Sequence, residues 1–244
     1  MTDLRFLGTG AAVPSERVQS GVLVDGILVD CGSGVLHRLG QAEREDDATS
    51  FDEIEDILVS HTHIDHVSDI PALMKADWIV GNDSLRIHGP PGTRGTVESL
   101  LDAYDYMKGR IDLEIEEIQP GESFEADGRQ IETYETSHTD DSMGFRIGDV
   151  VYTGDTEVID ETVEFSEGCD LLIHECAFPD GVDVTGHSRP SDIAEIAPDL
   201  DVGEIYLTHL YPQTRGKERK MRRKVADEFD GDVSIPDDGE SLTV

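Results

Sequence analysis

The sequence is poor in lysine and cysteine, and it has no long apolar run. Only five of its 244 residues are lysines, and the three cysteines, Cys31, Cys169 and Cys176, form no CxxC pair. We therefore expect small buried thiols in a reducing compartment. No apolar stretch approaches the roughly 18 to 20 residues of a membrane span, and residues 1–10 lack the pattern of a signal segment. These absences exclude a disulfide framework and a membrane protein, and we expect a cytoplasmic protein.

Acidic residues dominate the composition. Asp and Glu number 54 against 19 Lys and Arg, which gives a formal net charge of -35 at pH 7. The carboxylates are spread along the whole chain. This is typical of a protein kept hydrated in molar salt, where screening shortens the reach of self-repulsion to about 3 Å. We therefore predict a halophilic protein rather than a localised acidic surface for a partner.

The order of apolar segments predicts the fold class. Strand patterns open the chain, and Asp25-Gly26 between two of them is a hairpin signal. Helical periodicity then alternates with short apolar strands. No linker or low-complexity tract interrupts this order. We predict an α/β fold, a four-layer αββα sandwich in which two sheets are flanked by helices, formed by residues 1–244 as a single domain.

The segment Ser60-His61-Thr62-His63-Ile64-Asp65-His66 is the sharpest local signal. At this composition, three histidines and an aspartate at this spacing would arise by chance with a frequency on the order of 10⁻³. The segment follows a buried strand, so we expect a loop in which His61 and His63 address one point. Asp65 and His66 then address a second point about 3.5–4 Å away. Imidazoles with a carboxylate suit zinc first, with manganese or iron as alternatives, so the sequence predicts two divalent metal ions.

One loop cannot complete two metal shells, so further ligands must come from other parts of the chain. His138, Asp155 and His209 each lie just after a predicted strand. The carboxyl ends of neighbouring strands collect side chains at one edge of a sheet. These three residues are therefore candidates for the remaining ligands.

Eight motifs along the chain occur in a recognisable order. They are Phe6-Leu7-Gly8-Thr9-Gly10, Val29-Asp30-Cys31-Gly32-Ser33-Gly34, the loop from His61 to His66, His138, Thr153-Gly154-Asp155-Thr156, Ile173-His174-Glu175, Gly186-His187-Ser188 and Leu207-Thr208-His209. This order resembles that of the metallo-β-lactamase fold superfamily, and within it most resembles the ribonuclease Z group. The match covers nearly the whole chain, and its metal motifs are highly specific.

The resemblance implies a role for each matching position. It implies that one metal is held by His61, His63 and His138. A second metal is then held by Asp65, His66 and His209, and Asp155 bridges the two. It further implies that Glu175 and His187 form a dyad that protonates the leaving group. Asp65 can orient the nucleophile as well as bind metal, so the expected catalytic residues are Asp65, Glu175 and His187.

This set of residues favours hydrolysis of a phosphodiester. Two metal ions share a bridging hydroxide whose pKa falls toward about 7, neutralise the phosphoryl oxygens, and hold the attacking and leaving oxygens in line. A carboxylate at Glu175 raises the pKa of His187, so the imidazole can donate a proton near neutral pH. We expect a dinuclear phosphodiesterase that acts on RNA ends or on a smaller nucleotide-like substrate.

Two other functions stay open at the level of sequence. The same metal pair attacks carbonyl carbon, so a hydrolase of thioesters or lactones is one alternative. A non-catalytic nucleic-acid-binding relative that keeps its metals for stability is the other. The Asp65-His66 pair together with Glu175 and His187 favours phosphorus chemistry, and the complete ligand set favours an enzyme.

The chain departs from the tRNA-processing members of the ribonuclease Z group in two places. Those members carry a long arm, rich in Gly, Pro and Lys, that grips tRNA, whereas residues 89–138 contain only an ordinary helix and strands. Their Lys-Arg-Asn loop after the first strand is replaced by Pro14-Ser15-Glu16-Arg17-Val18-Gln19. These departures argue against maturation of tRNA 3′ ends by this chain.

The basic residues, unlike the acidic ones, are concentrated. Seven of the 19 lie in residues 215–224, with Glu218 the only acid among them. Met221, Val225 and Phe229 recur at i, i+4 and i+8, which predicts an amphipathic helix over about residues 217–229. We hypothesise that the start of this helix binds substrate phosphate. The residues concerned are Arg219, Lys220, Arg222 and Arg223, and their pairing with the acidic body of the protein is the alternative.

The expected partner is a phosphate-bearing substrate, with RNA among the candidates. No membrane partner is expected. Apolar residues such as Trp78 and Ile79 leave a homodimer open, if they are exposed.

Overall fold

The computed structural model describes residues 1–46, 49–82 and 84–244. Within these ranges, fourteen strands form two sheets of seven strands each. The strands are β1 (Asp3–Gly8), β2 (Gly21–Val24), β3 (Ile27–Val29), β4 (Asp56–Leu58), β5 (Ser84–Gly89), β6 (Asp112–Glu117), β7 (Ser123–Ala126), β8 (Arg129–Glu135), β9 (Met143–Ile147), β10 (Val150–Tyr152), β11 (Cys169–Glu175), β12 (Val202–Thr208), β13 (Asp232–Ser234) and β14 (Ser241–Thr243). The first sheet has the order β14-β1-β2-β3-β4-β5-β6, and the second has the order β13-β12-β11-β10-β9-β8-β7.

Helices cover the outer faces of both sheets. They are α1 (Val35–Asp46), α2 (Ile64–Val67), α3 (Ile70–Val80), α4 (Thr93–Asp102), α5 (Asp160–Ser166), α6 (Pro190–Ile196) and α7 (Glu218–Ala226). Short 3-10 turns occupy Phe51–Glu53, Asp105–Met107, Ala197–Asp199 and Pro212–Thr214. None of the helices in the described ranges combines the length and the apolar character needed to cross a membrane.

The alternation of side chains along each strand explains the four layers. Phe6 and Val22 of the first sheet face the same central cluster as Ile173 and Tyr206 of the second. Phe6 stacks on Tyr206 with ring centroids 5.3 Å apart, so the two sheets touch directly. The next residue along β1, Leu7, points outward into a second cluster with apolar residues of α1, α3 and α4. Because strand side chains alternate between faces, both faces of each sheet are buried, which confirms the predicted αββα sandwich.

Strand direction brings several loops to one edge of the sandwich. β3 to β6 run parallel in the first sheet, and β10 to β13 run parallel in the second. Met143 N donates to Ser60 O at 3.0 Å, and the bridge between Gly10 and Leu210 joins the same edge from the other side. The loops after β4, β8, β10 and β12 therefore meet where the two sheets come together.

The basic helix is shorter than its apolar repeat predicts. α7 ends at Ala226, although Phe229 is still buried in the outer cluster with Met221 and Val225. The chain turns after Ala226 to enter β13, and Gly231 passes so close to the Phe229 ring that a Cβ there would lie 2.6 Å from it. Packing of Phe229 therefore continues without the helix.

Candidate metal centre

The loop after β4 and the short helix α2 carry the first four candidate ligands. α2 begins at Ile64, with His63 in extended conformation just before it, so Asp65 and His66 lie in its single turn. Cys31 N donates to His66 O at 2.7 Å, which holds α2 against the loop after β3. Gly32 in that loop is required by space, because a Cβ there would lie 2.0 Å from Asp65 O.

Four imidazoles converge on one carboxylate oxygen at the edge of the sandwich. The Oδ2 atom of Asp155, three residues after β10, is the common neighbour. The Nε2 atoms around it lie at 3.2 Å (His209), 3.4 Å (His66), 3.7 Å (His61) and 3.7 Å (His138). His63 joins from the loop, with its Nδ1 3.1 Å from Nε2 of His138. Asp65 Oδ2 lies 3.8 Å from His66 Nε2 and 3.9 Å from His209 Nε2.

The opposite nitrogen of these rings is hydrogen-bonded away from the centre. His66 Nδ1 donates to Asp30 Oδ2 at 2.7 Å, and His138 Nδ1 donates to Gly186 O at 2.7 Å. His209 Nδ1 lies 3.0 Å from the hydroxyl of Ser20. With Nδ1 bonded outward, each Nε2 faces the centre, which is the arrangement of a metal-ligating histidine.

Asp30 is a site residue to which sequence reasoning gave no role. Its carboxylate is completely buried and, besides His66, accepts hydrogen bonds from Ser60 N at 2.8 Å, from Ser60 Oγ at 2.9 Å and from the Tyr152 hydroxyl at 2.9 Å. Its φ of 57° is in the left-handed region, which a non-glycine residue rarely adopts. The signal in the sequence was its place directly after β3, in one of the eight motifs.

Buried polar atoms without partners show what the centre needs. Within the described residues, His61 Nε2, His209 Nε2 and Asp155 Oδ1 are buried and make no hydrogen bond. Burial lowers the pKa of His61 well below its usual value and that of His209 to about 4, so both rings are neutral at pH 7. The lone pairs of neutral imidazoles repel a carboxylate that they face, unless a cation lies between them. The donor set therefore fits divalent metal ions.

The candidate ligands separate into groups of the predicted composition. Donor atoms within 4.8 Å of one another join His61, His63, His138 and Asp155 in one group, and Asp65, His66 and His209 in another. A third group joins Asp155, His187 and His209. The fold thus brings together all seven residues that the sequence predicts as ligands.

Glu175 and His187 form a hydrogen-bonded pair beside this cluster. Glu175 ends β11, and its Oε1 accepts from His187 Nδ1 at 2.8 Å and from Thr156 N at 3.1 Å. Burial tends to lower the pKa of His187, but the hydrogen bond to Glu175 and the charge of Glu175 outweigh it and raise that pKa. Burial raises the pKa of Glu175 to about 7. The pair therefore retains a proton near neutral pH.

The four basic residues predicted to bind phosphate are divided between two surfaces. Arg219 and Arg222 line a cavity of about 550 Å³, here called the arginine cavity, together with Arg17 and Arg38. Four carboxylates also line it, those of Glu16, Glu218, Asp237 and Asp238. Lys220 and Arg223 are exposed elsewhere on α7, and Arg223 forms an ion pair with Asp227 at 3.5 Å. In the described part of the chain, no member of the histidine cluster lines the arginine cavity.

Comparisons with known proteins agree with the fold and the cluster. Residues 26–210 match the profile of the beta-lactamase superfamily domain. A ribonuclease Z of Haloferax volcanii is 30% identical over an alignment covering 98% of this chain and 94% of that protein. The metallo-beta-lactamase fold protein YhfI from Bacillus subtilis superposes with a TM-score of 0.84 at 28% identity, covering 99% of this chain and 98% of that one. Human tRNase Z, short form, gives a TM-score of 0.79 at 23% identity, with 99% of each chain covered.

Two sheets flanked by helices, with histidines and aspartates gathered at one edge, form an αββα scaffold with a candidate metal centre. Similarity to ribonuclease Z proteins at about 30% identity over nearly the full length identifies the chain as a metal-dependent hydrolase. The chain belongs to the metallo-β-lactamase superfamily and is ribonuclease Z-like within it. Similarity to a protein of Haloferax volcanii, a halophilic archaeon, fits the halophilic character predicted from composition. The alignment with that protein runs over 304 positions, against the 244 residues here, so the relative contains segments that this chain lacks.

Proposed function

We propose that this protein is a two-metal phosphodiesterase that hydrolyses RNA or a smaller nucleotide-like substrate. The observation that carries the proposal is the convergence of four imidazole Nε2 atoms on Oδ2 of Asp155, at 3.2 to 3.7 Å. An arrangement with its outer nitrogens already bonded is a preorganised ligand set, and a solvated cluster of histidines would not need it.

The two ligand groups correspond to two ions. His61, His63 and His138 would hold one, Asp65, His66 and His209 the other, and Asp155 would lie between them. Imidazole and carboxylate donors favour zinc, with manganese or iron as alternatives. When bound, such ions supply an activated water at neutral pH and positive charge for the phosphoryl oxygens.

The residues of the chain orient the reactants and move protons. Asp65 is buried and faces both His66 and His209, so its carboxylate can accept a proton from an attacking water. His187 adjoins His138 and His209. Its Nδ1 is fixed by Glu175, so its Nε2 is the proton donor for the leaving oxygen. A positioned donor of this kind matters most when the leaving group is a poorly acidic alcohol such as a ribose hydroxyl.

Similarity to ribonuclease Z supports phosphorus rather than carbonyl chemistry, and RNA as the substrate class. Residues 90–137 form α4, β6, β7 and β8 within the sandwich, and no long arm leaves it in the described residues. We therefore propose short or single-stranded RNA as the substrate in preference to folded tRNA precursors.

A substrate panel with metal analysis tests the proposal. Purified protein in molar KCl, with zinc, manganese or iron, is assayed on an aryl phosphodiester, a cyclic nucleotide, a short RNA and a tRNA precursor. We expect about two ions per chain and metal-dependent cleavage of the short RNA. His66→Ala should lose one ion and roughly 10³-fold in kcat, because one ligand group is broken, whereas His37→Ala, at an exposed histidine, should match wild type. Tightly bound metal with no hydrolysis contradicts the proposal.

A second variant in the same assay tests the proton donor. His187→Ala should lower kcat on RNA by roughly 10²- to 10⁴-fold, but far less on the aryl diester, whose leaving group needs no proton. An equal loss on both substrates would instead place His187 among the metal ligands, as the third donor group allows. Efficient cleavage of the tRNA precursor would contradict the inference drawn from the missing arm.

A further inference from the structure

An aromatic pair borders the metal centre on the side of His187. The rings of Phe178 and Tyr211 are stacked, with centroids 4.4 Å apart and planes inclined by 21°. Tyr211 presents its ring to His209 and His187 at centroid distances of 5.7 and 5.8 Å, with interplanar angles of 72° and 70°. Phe178 lies 6.0 Å from the His187 ring. Both aromatic rings therefore adjoin the proposed proton donor, where the leaving group must lie.

Tyr211 also lines a cavity, so this one residue borders both the cavity and the histidine cluster. This cavity has a volume of about 390 Å³ and lies between the loop 14–17 and the turn Pro212–Thr214. Pro14 and Pro212 add flat apolar surface to that of Tyr211. A space of this size is in the range of small-ligand sites, and aromatic faces stack on nucleobases of any identity.

One wall of the cavity is held rigidly in place. The Arg17 guanidinium donates to Thr9 Oγ1 and to Pro236 O, the latter at 2.7 Å, so the loop is tied to the body of the protein. The guanidinium of Arg215, unlike that of Arg17, lies in solvent. It is paired with Glu16, and both side chains are 75% exposed. An exposed pair is weak, so a phosphate group can displace Glu16 from Arg215.

We propose that this cavity binds the leaving nucleotide of the substrate, with its base on Tyr211 and its outer phosphate on Arg215. This inference rests on the proposed function, and it specifies which part of the substrate the enzyme recognises. It assigns Tyr211 as a specificity-determining residue, with Phe178 holding its ring in position. The enzyme would therefore favour nucleotides over phosphodiesters that lack a base.

Two short RNAs that differ only by one base test the subsite. In one of them the leaving nucleotide is abasic. Wild type should cleave the complete RNA with a kcat/KM roughly 10-fold or more above that of the abasic one. Tyr211→Ala should bring the ratio below about twofold, mainly through a higher KM for the complete RNA, whereas Tyr211→Phe should keep the ratio. Tyr104→Ala, at an exposed tyrosine away from the site, is the matched control.

A binding measurement gives a readout independent of turnover. Calorimetry should show that wild type binds adenosine monophosphate roughly 10-fold more tightly than ribose 5-phosphate, and that Tyr211→Ala loses this difference. Phe178→Leu removes only the supporting ring and should reduce the difference partway, which keeps the test decisive if Tyr211→Ala does not fold. Equal cleavage of both RNAs by wild type, or an equal loss on both in Tyr211→Ala, overturns the subsite. Failure to cleave any phosphodiester with metal bound contradicts the proposed function itself.

Two charge variants separate substrate binding from a structural ion pair. Arg215→Gln should raise KM for the short RNA several-fold at the lowest KCl that keeps the protein folded, since one phosphate contact is lost. Glu16→Gln should lower KM, because it frees Arg215. If the pair only holds the loop, both variants raise KM or neither changes it, and the phosphate contact is overturned.

Discussion

Asp30 shows how one buried carboxylate organises the centre. Its two oxygens accept four hydrogen bonds, and the shortest, at 2.7 Å, comes from Nδ1 of His66. A buried negative charge with no arginine or lysine among these partners is costly unless positive charge lies close by. The hydrogen bond to this carboxylate makes the other nitrogen of His66 a stronger donor to a metal ion, and the ion in turn supplies the positive charge that Asp30 needs.

Replacement of Asp30 should therefore weaken metal binding. We expect Asp30→Asn to raise the dissociation constant for zinc by roughly 10- to 100-fold, because the His66 ring loses its charged acceptor. Titration of the metal-free protein with zinc measures this directly. Asp127→Asn, at an exposed hairpin residue that also has positive φ, is the matched control. Unchanged zinc affinity in Asp30→Asn would show that Asp30 only holds the loop after β3 in its conformation.

The candidate ligands could be predicted from the sequence, but their supporting residues could not. His61 and His63 in the loop after β4, and Asp65 and His66 in α2, lie within six consecutive residues, so their spacing alone carries information about geometry. Ser20 supports a ring that is far away in the chain, because its hydrogen bond to His209 joins positions 189 residues apart. No local pattern encodes such a contact, because it exists only once the two sheets have closed on each other.

Among the elements, the parallel strands β4, β5 and β6 share a buried charge network. Asp56 in β4 accepts from His88 Nε2 at 2.8 Å and from Arg86 Nε at 2.8 Å, and the turn residue Asp127 donates its N–H to the same carboxylate at 3.1 Å. Asp127 precedes β8 in the other sheet. The network therefore ties the two sheets together away from the metal centre.

Acid should weaken this network in a predictable direction. Burial alone would raise the pKa of Asp56, but hydrogen bonds from His88 and Arg86 hold it well below its ordinary value of 3.8. The unfolded chain therefore binds this proton first as pH falls, so the contribution of Asp56 to stability is full above about pH 5 and is lost progressively below pH 4. Asp56→Asn should lower the free energy of unfolding by about 3 kcal/mol at pH 7. Denaturant titrations from pH 3 to 7 should show this deficit shrinking with acid, and a deficit independent of pH would refute the assignment.

The helix α7 presents its positive charge in two directions, which makes its role testable. Arg219 and Arg222 face the arginine cavity, and Lys220 and Arg223 do not line it. The double variant Arg219→Gln with Arg222→Gln should raise KM for RNA by roughly 3- to 10-fold at low KCl. Lys220→Gln with Arg223→Gln changes the charge equally and should leave KM within about twofold. If both double variants instead lower the free energy of unfolding and leave KM unchanged, the basic residues stabilise the fold by pairing with acidic residues.

Elements with strong periodicity could be predicted from the sequence, and the short edge strands could not. The apolar repeat of Met221 and Val225 defines α7, and the hairpin signal at Asp25-Gly26 correctly separates β2 from β3. β13 and β14 have three residues each and few apolar side chains. They are strands because β12 and β1 offer them free edges, which is a property of the folded sheets and not of these segments.

The net charge of the whole molecule is suited to a solvent of high salt concentration. A net charge of -35 on 244 residues opposes compaction at low salt, and about 1 M salt shortens the Debye length to about 3 Å. We expect the melting temperature to rise by roughly 5–10 °C between 0.5 and 3 M KCl, since screening relieves repulsion in the folded state more than in the expanded chain. Scanning calorimetry measures the change, with glycerol as an uncharged control. A melting temperature insensitive to KCl would contradict the halophilic interpretation.

The tie between the start of the chain and residue 238 has a consequence for biosynthesis. Asp238 accepts hydrogen bonds from Thr9 N at 3.0 Å, from Thr9 Oγ1 at 2.7 Å and from Val18 N at 2.6 Å. The loop that borders the metal centre thus depends on a residue translated 229 positions after Thr9. At roughly 5–20 residues per second, the ribosome needs about 10–50 seconds to supply it. A nascent chain in which every histidine has been synthesised therefore still lacks a complete site. During that interval the unfinished chain is a substrate for chaperones.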